Sequence, residues 1–252
     1  MTVQQPGPRE AVLRFYGPLN DFLSPPLRQR DCPCPLFGTP AVKDVIEALG
    51  VPHPEVERVV INGAEVSLGH NLAGGERVAV YPPLLGLRPG TPPRRFVLDV
   101  HLGRLARDLR LLGFDCHYDP ALSDAAIVRI QERDGRTILT RDRGLLKHGA
   151  VRHGAFVRAT DPAAQLVEVV RRFDLAAAAA PFTRCRVCNG ALADVDRETI
   201  LERLPPAVAR TQNRFRQCGD CGRIYWPGSH YDRMRERLEG LLGIAPDDDG
   251  TA

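Results

Sequence analysis

The chain has 252 residues, room for one large domain or two to three small ones, and its 43% hydrophobic and 26% charged content is ordinary for a soluble globular protein. No apolar run approaches the length of a membrane span, and the opening "MTVQQPGPRE" lacks the basic start and apolar stretch of a secretory signal, so the expected location is cytoplasmic. The net charge of +3 is unevenly spread: residues 94–180 carry 15 basic against 11 acidic side chains, a balance compatible with nucleic acid that does not demand it.

Residues 10–81 read as a first unit. "AVLRFYG" alternates apolar and polar like a strand, and "AVKDVIEALG" places Val42, Val45, Ile46 and Leu49 at helical spacing before Gly50. "VERVVING" and "ERVAVYP" predict two more strands, separated by the turn-rich "GHNLAGG". Strand, helix and strands in this order suggest a small α+β domain. Cys32-Pro-Cys34 is a CxC pair without partners and reads as incidental. "PPLLGLRPGTPPR", residues 82–94, holds five prolines and two glycines and predicts a linker.

Residues 95–175 alternate strand and helix. "RFVLDV" is a predicted strand, and the next segment carries Leu102, Leu105, Ala106, Leu109 and Leu112 on one helical face. "FDCHYD" predicts a short strand with Cys116 as a small core residue; Asp115 and Asp119 read as turn residues. "LSDAAIVRIQERDG" predicts a helix with Ser123 as its N-cap. "TILT" is a strand, "RDRGLLKHG" a short helix and "GAFVRA" a strand; "DPAAQLVEVVRRFD" closes with a helix capped by Asp161. The order implies a mostly parallel sheet covered by helices, an α/β core. Residues 181–242 hold the remaining cysteine pairs and a final helix, "SHYDRMRERLEGLL", and residues 245–252 read as a disordered tail.

Three aspartates stand where chemistry is expected in a parallel sheet, beyond the carboxyl ends of strands. Asp99 closes the strand "RFVL", Asp142 follows "TILT", and Asp124 opens the helix after the second strand. Two carboxylates about 4 Å apart repel by roughly 4 kcal/mol at an effective dielectric near 20. A proton, an arginine or a divalent cation must offset that. All-oxygen ligands suit Mg²⁺ or Mn²⁺, which can polarise a phosphodiester and deliver hydroxide. For Asp124 the competing reading is complementing the helix dipole, and for a lone "RDR" it is a charge-paired surface turn.

Cys185-x-x-Cys188 and Cys218-x-x-Cys221 are the most specific signal in the chain. Each pair can clasp one metal from a tight turn, and four thiolates make a closed, structural Zn²⁺ site. The 29 residues between the pairs leave room for an inserted helix such as "DRETILERL". Arg184, Arg186, Arg210, Arg214, Arg216 and Arg223, with Tyr225 and Trp226, could grip phosphates and stack bases; a core tryptophan beneath the ribbon is the competing view.

"RFVLDVHLGRLARDLRLLGFD", "SDAAIVRI", "RTILTRDRGLL", the cysteine pairs and "YWPGSHYDRMRERL" together resemble the PIN-like ribonucleases of the Mut-seven C-terminal family. "VVINGAEV" resembles the ubiquitin-like β-grasp sulfur carriers, a domain some family members carry at the N-terminus. Those carriers act through a terminal glycine pair, whereas "AGG" here precedes the last strand, so the unit reads as a binding or scaffolding module with a possible protein partner. The resemblance implies a metal-dependent ribonuclease acting on RNA, tRNA being one structured candidate, and leaving 5′-phosphate and 3′-hydroxyl ends. It places Asp99, Asp124 and Asp142 on the catalytic Mg or Mn positions, and Arg104, Arg141 and Arg143 against the RNA backbone. Many PIN relatives have another acid two residues after the one in "TRD"; this chain has Gly144 there, which keeps open a non-catalytic RNA-binding protein with a degenerate core.

Overall fold

The protein is described from a computed structural model, in which the described residues are 9–83 and 95–228, together with 236 and 240. Most of the expected linker, most of the final helix and the 245–252 tail lie outside them. The chain divides into two compact units, one of residues 1–89 with 128–156, the other of residues 90–127 with 157–252. Among the described residues no helix is long and apolar enough to cross a membrane.

The first unit is built on β1 (Arg9–Phe15), β2 (Cys32–Leu36), α1 (Val42–Ala48), β3 (Arg58–Ile61), β4 (Ala64–Val66) and β5 (Arg77–Tyr81). These strands form one sheet in the order β2-β1-β5-β3-β4, with β1 and β5 parallel and the other neighbours antiparallel. That mixed sheet with one helix is the β-grasp arrangement. Its core gathers Leu13, Phe15, Leu19, Ile46, Leu72 and Val80, so the inward residues of β1 and β5 face α1. β3 turns into β4 through Asn62 and Gly63, both at positive φ (48° and 89°), the backbone a two-residue hairpin with the right twist requires.

β2 is an edge strand that the periodicity did not announce. "CPCPL" alternates buried and exposed, with Cys32 and Cys34 inward and Pro33 and Pro35 outward. An edge tolerates prolines because β2 pairs with β1 alone and needs no second row of N–H donors. Both thiols are core groups, and burial pushes Cys34 up to about 11. "AGG" lies in the loop before β5, where the Glu76 carboxylate accepts from the Ala73 and Gly74 amides at 2.7 and 2.8 Å.

The second unit begins with β6 (Arg95–Leu98), α2 (Gly103–Leu111) and β7 (Asp115–His117). β6 and β7 pair in parallel, as the connecting helix requires. Leu102, Leu105, Ala106, Leu109 and Leu112 are all fully buried, so the helical face read from the sequence is the packed one. α3 (Asp124–Asp134) follows, its first turn held by the Ser123 hydroxyl, which accepts from the Ala126 amide at 3.3 Å. β8 (Thr137–Thr140), α4 (Arg143–Leu146) and β9 (Gly154–Phe156) belong to the first unit, and β8 and β9 also pair in parallel. α5 (Pro162–Arg172) returns to the second unit; Asp161 caps it by accepting from the Ala163 and Ala164 amides. Strand pairs that run parallel, joined through helices, make this part of the chain an α/β core.

The last described segment is a small antiparallel sheet, β10 (Leu192–Asp194), β11 (Arg216–Cys218) and β12 (Ile224–Tyr225), with α6 (Arg197–Ile200) and α7 (Pro206–Thr211) between the cysteine pairs. Ile200, Leu204 and Phe215 form its buried cluster, and Trp226 packs against them.

Candidate functional site

The two cysteine pairs fold as near-identical turns. In each, the amide four residues after the first cysteine donates back to that cysteine's carbonyl: Asn189 to Cys185 at 3.0 Å, and Gly222 to Cys218 at 2.9 Å. Asn189 and Gly222 both sit at positive φ, 74° and 68°, which closes the turn and turns the thiols the same way. The result is a group whose four sulfur atoms all lie within 4.8 Å of one another. Cys185 and Cys221 approach to 3.7 Å, and Cys188 and Cys218 to 3.3 Å. A tetrahedron with metal–sulfur bonds of about 2.3 Å has edges of roughly 3.8 Å. The four-cysteine cluster is therefore of the size and donor type that holds a metal ion. Among the described residues it is the group of three or more metal-ligating side chains gathered this closely.

Local contacts tune these thiols. Burial pushes Cys185 up, but the Cys188 amide, the Tyr225 hydroxyl at 3.0 Å and the Val187 amide outweigh it and bring the thiol down to about 6. Burial and the neighbouring sulfurs push Cys188 up to about 12. A pair in which the Cys185 thiolate forms readily while Cys188 beside it resists a second negative charge is one that a cation completes. A side chain at Gly190 would displace the Asp220 carboxylate and press on the Cys218 sulfur, because a Cβ there would lie 2.4 Å from an Asp220 oxygen and 2.9 Å from that sulfur.

The first cysteine turn is fastened to the second unit's own core. Arg110, on α2 and only 3% exposed, donates from Nε and Nη2 to the Cys116 carbonyl and from Nη1 to the Val187 carbonyl at 2.7 Å. Asn189 completes the joint: its side chain accepts from the Cys116 amide and donates to Asp115. Asp115, expected as a turn residue, is thus an anchor for the ribbon. Neither Arg110 nor Asn189 was singled out from the sequence, because contacts spanning 73 to 77 residues leave no local periodicity.

The basic and aromatic side chains around the ribbon divide into two groups. Arg184 bonds the Asn189 carbonyl, and Arg216 bonds Asp194 and the Phe182 carbonyl. Tyr225 is turned onto the Cys185 sulfur, and Trp226 onto the buried cluster. Both rings are half-buried, and the packing of Trp226 agrees with the competing view of a tryptophan beneath the ribbon. Arg210, Arg214 and Arg223 are exposed.

Each of the three aspartates lies beyond a strand's carboxyl end. Asp99 follows β6, is 4% exposed, and accepts from the His101 amide at 2.9 Å. Asp124 is the exposed first residue of α3, after β7. Asp142 follows β8; its Oδ1 accepts from the Gly144 amide at 2.6 Å, while its own amide donates to the Thr140 hydroxyl at 2.8 Å. The carboxylate folds back over position 144, where a Cβ would come within 3.1 Å of Oδ1. Gly144 thus lets the Asp142 side chain cap α4. Arg104 is exposed and Arg141 partly buried. Arg143 is exposed. Its guanidinium donates to the Phe22 and Asp21 carbonyls, both at 3.2 Å, and lies over the Phe22 and Phe156 rings at 5.1 and 5.5 Å. Two of its donors are thus turned to the β-grasp part of the first unit.

The described residues thus combine a β-grasp sheet, parallel strand pairs of an α/β core, and a four-cysteine cluster on a small antiparallel sheet. The family model described as the Mut7-C RNAse domain matches residues 94–238, more than half of the chain, and the model described as Mut7-C ubiquitin matches residues 9–85. The chain belongs to the Mut7-C RNAse domain family. No curated protein and no solved structure matches it.

Proposed function

We propose that the chain is a metal-dependent ribonuclease that hydrolyses RNA phosphodiester bonds, with Asp99, Asp124 and Asp142 as the acidic ligands of Mg²⁺ or Mn²⁺. The observation that carries this reading is the match to an RNAse domain over a span that includes all three aspartates. Their positions support it: each follows the carboxyl end of a strand of the α/β core, the end where such folds place their chemistry. A divalent ion bound there supplies polarisation of the phosphodiester and an activated water. The chain's own residues supply the rest. The Gly144 amide holds one Asp142 oxygen and fixes the direction of the carboxylate. The His101 amide does the same for Asp99. Arg104 and Arg141 meet phosphates on this reading, for which a planar guanidinium fork is well shaped.

The four cysteines hold Zn²⁺ in a closed site with a structural role. On this reading residues 10–81 are the β-grasp unit, 95–175 the nuclease and 181–242 the ribbon, whose exposed Arg210, Arg214 and Arg223 help to bind RNA. Gly144 favours one second reading, an RNA-binding protein without turnover, because no carboxylate stands at that position.

The purified chain is expected to cut single-stranded RNA or tRNA when Mn²⁺ is added, to leave 5′-phosphate ends, and to stop when EDTA is present. Gel analysis with end-labelled RNA reads this directly. Retention of RNA with no cleavage at any Mn²⁺ concentration would establish the binding-only reading instead.

A further inference from the structure

The β-grasp part of the first unit touches the segment from α4 to β9 through several side-chain contacts. Arg143 reaches the Asp21 and Phe22 carbonyls. Lys147 donates to the Glu47 carbonyl at the end of α1 at 2.7 Å. His53, 9% exposed, sits between the Glu47 carboxylate and the Val151 carbonyl, 2.6 Å from each. Glu55, 1% exposed, accepts from the Phe156 amide at 2.7 Å. The Phe156 ring packs into the β-grasp core and meets Phe22 edge-on at 5.5 Å. Two nearly buried polar side chains are thus spent on residues about 100 positions away, and one of the rings of that core comes from β9.

These contacts begin at the residue immediately after Asp142. We infer that the β-grasp unit is an intramolecular clamp that positions the Asp142 turn, an inference that rests on the ribonuclease reading of Asp142. Asp21 and Phe22 hold Arg143 at the start of α4, Glu47 holds Lys147 just past its end, His53 holds Val151 in the following loop, and Glu55 holds Phe156 at the end of β9, which restrains the turn between β8 and α4. A ligand carboxylate must be fixed to bind metal well, and partners that orient ligands typically change affinity or activity by about 10–100-fold when removed. Arg143 and Lys147 are positioning residues in this account, since neither need touch RNA.

Full-length Arg143→Ala, Lys147→Met and Arg143→Lys proteins test this with two readouts. Hydrogen exchange without added Mn²⁺ or RNA should speed up by about tenfold across residues 141–147 in the first two variants, with partial recovery in Arg143→Lys. With Mn²⁺ and RNA, kcat should fall about 10–100-fold and the half-saturating Mn²⁺ concentration should rise, while KM for RNA stays within about twofold. Unchanged exchange, or a raised KM with a shallower salt dependence, would overturn the clamp and return Arg143 to the RNA. Faster exchange in a chain whose wild type never cleaves RNA would sink the ribonuclease reading and leave the clamp standing.

Discussion

Asp142→Asn is expected to lower Mn²⁺-dependent RNA cleavage by at least about 100-fold while leaving the fold intact. Losing a partner that merely orients a metal ligand costs about 10–100-fold, and losing a charged ligand should exceed that. Asparagine keeps the shape of the side chain and a carbonyl oxygen for the Gly144 amide, which Asp142 engages at 2.6 Å. The α4 cap therefore survives, and the change in stability should be no more than about 1 kcal/mol. Cleavage rates across a Mn²⁺ titration, beside a urea unfolding curve, separate the two effects. A variant that cuts as fast as the wild type would show that the activity belongs to another site or to a contaminant.

Removal of the ribbon's metal should have the largest effect on stability. Among the described residues the ribbon's buried cluster is Ile200, Leu204 and Phe215, each contributing about 1.5–3 kcal/mol, with a few half-buried side chains packed on it. Ordering its backbone costs about 1–2 kcal/mol per residue, so so small a core cannot hold it alone. Binding of a structural Zn²⁺ contributes about 10 kcal/mol or more in apparent terms. Cys218→Ser, or stripping with a strong chelator, should melt the segment from Cys185 to Tyr225. The loss should not stop there. Arg110 and Asn189 tie the first cysteine turn to β7, so exchange should also rise at Asp115, Cys116 and His117. Metal analysis should return one zinc per chain. Unchanged unfolding after complete zinc removal would rule out the structural role.

Local order was legible where the residues that decide it are neighbours in sequence. The apolar face of α2, the Ser123 and Asp161 caps and the paired cysteines each rest on spacings of a few residues. β2 was hidden because two prolines argue against a strand unless it is known to be an edge, and edge status is a property of the sheet. The tasks of Arg110, Asn189, Glu55 and Arg143 were hidden for a related reason. Their partners lie 73 to 122 positions away, and no local periodicity marks such a contact. Arg143 is the instructive case. Beside a candidate catalytic acid it reads as a phosphate contact, and its guanidinium also donates to two backbone carbonyls far away in sequence.

Crystals of the chain soaked in Mn²⁺ and measured at the manganese edge test the three-aspartate assignment most directly. Anomalous density bounded by carboxylate oxygens of Asp99, Asp124 and Asp142 is the predicted result. Manganese bound through other side chains, with these three carboxylates uninvolved, would contradict it.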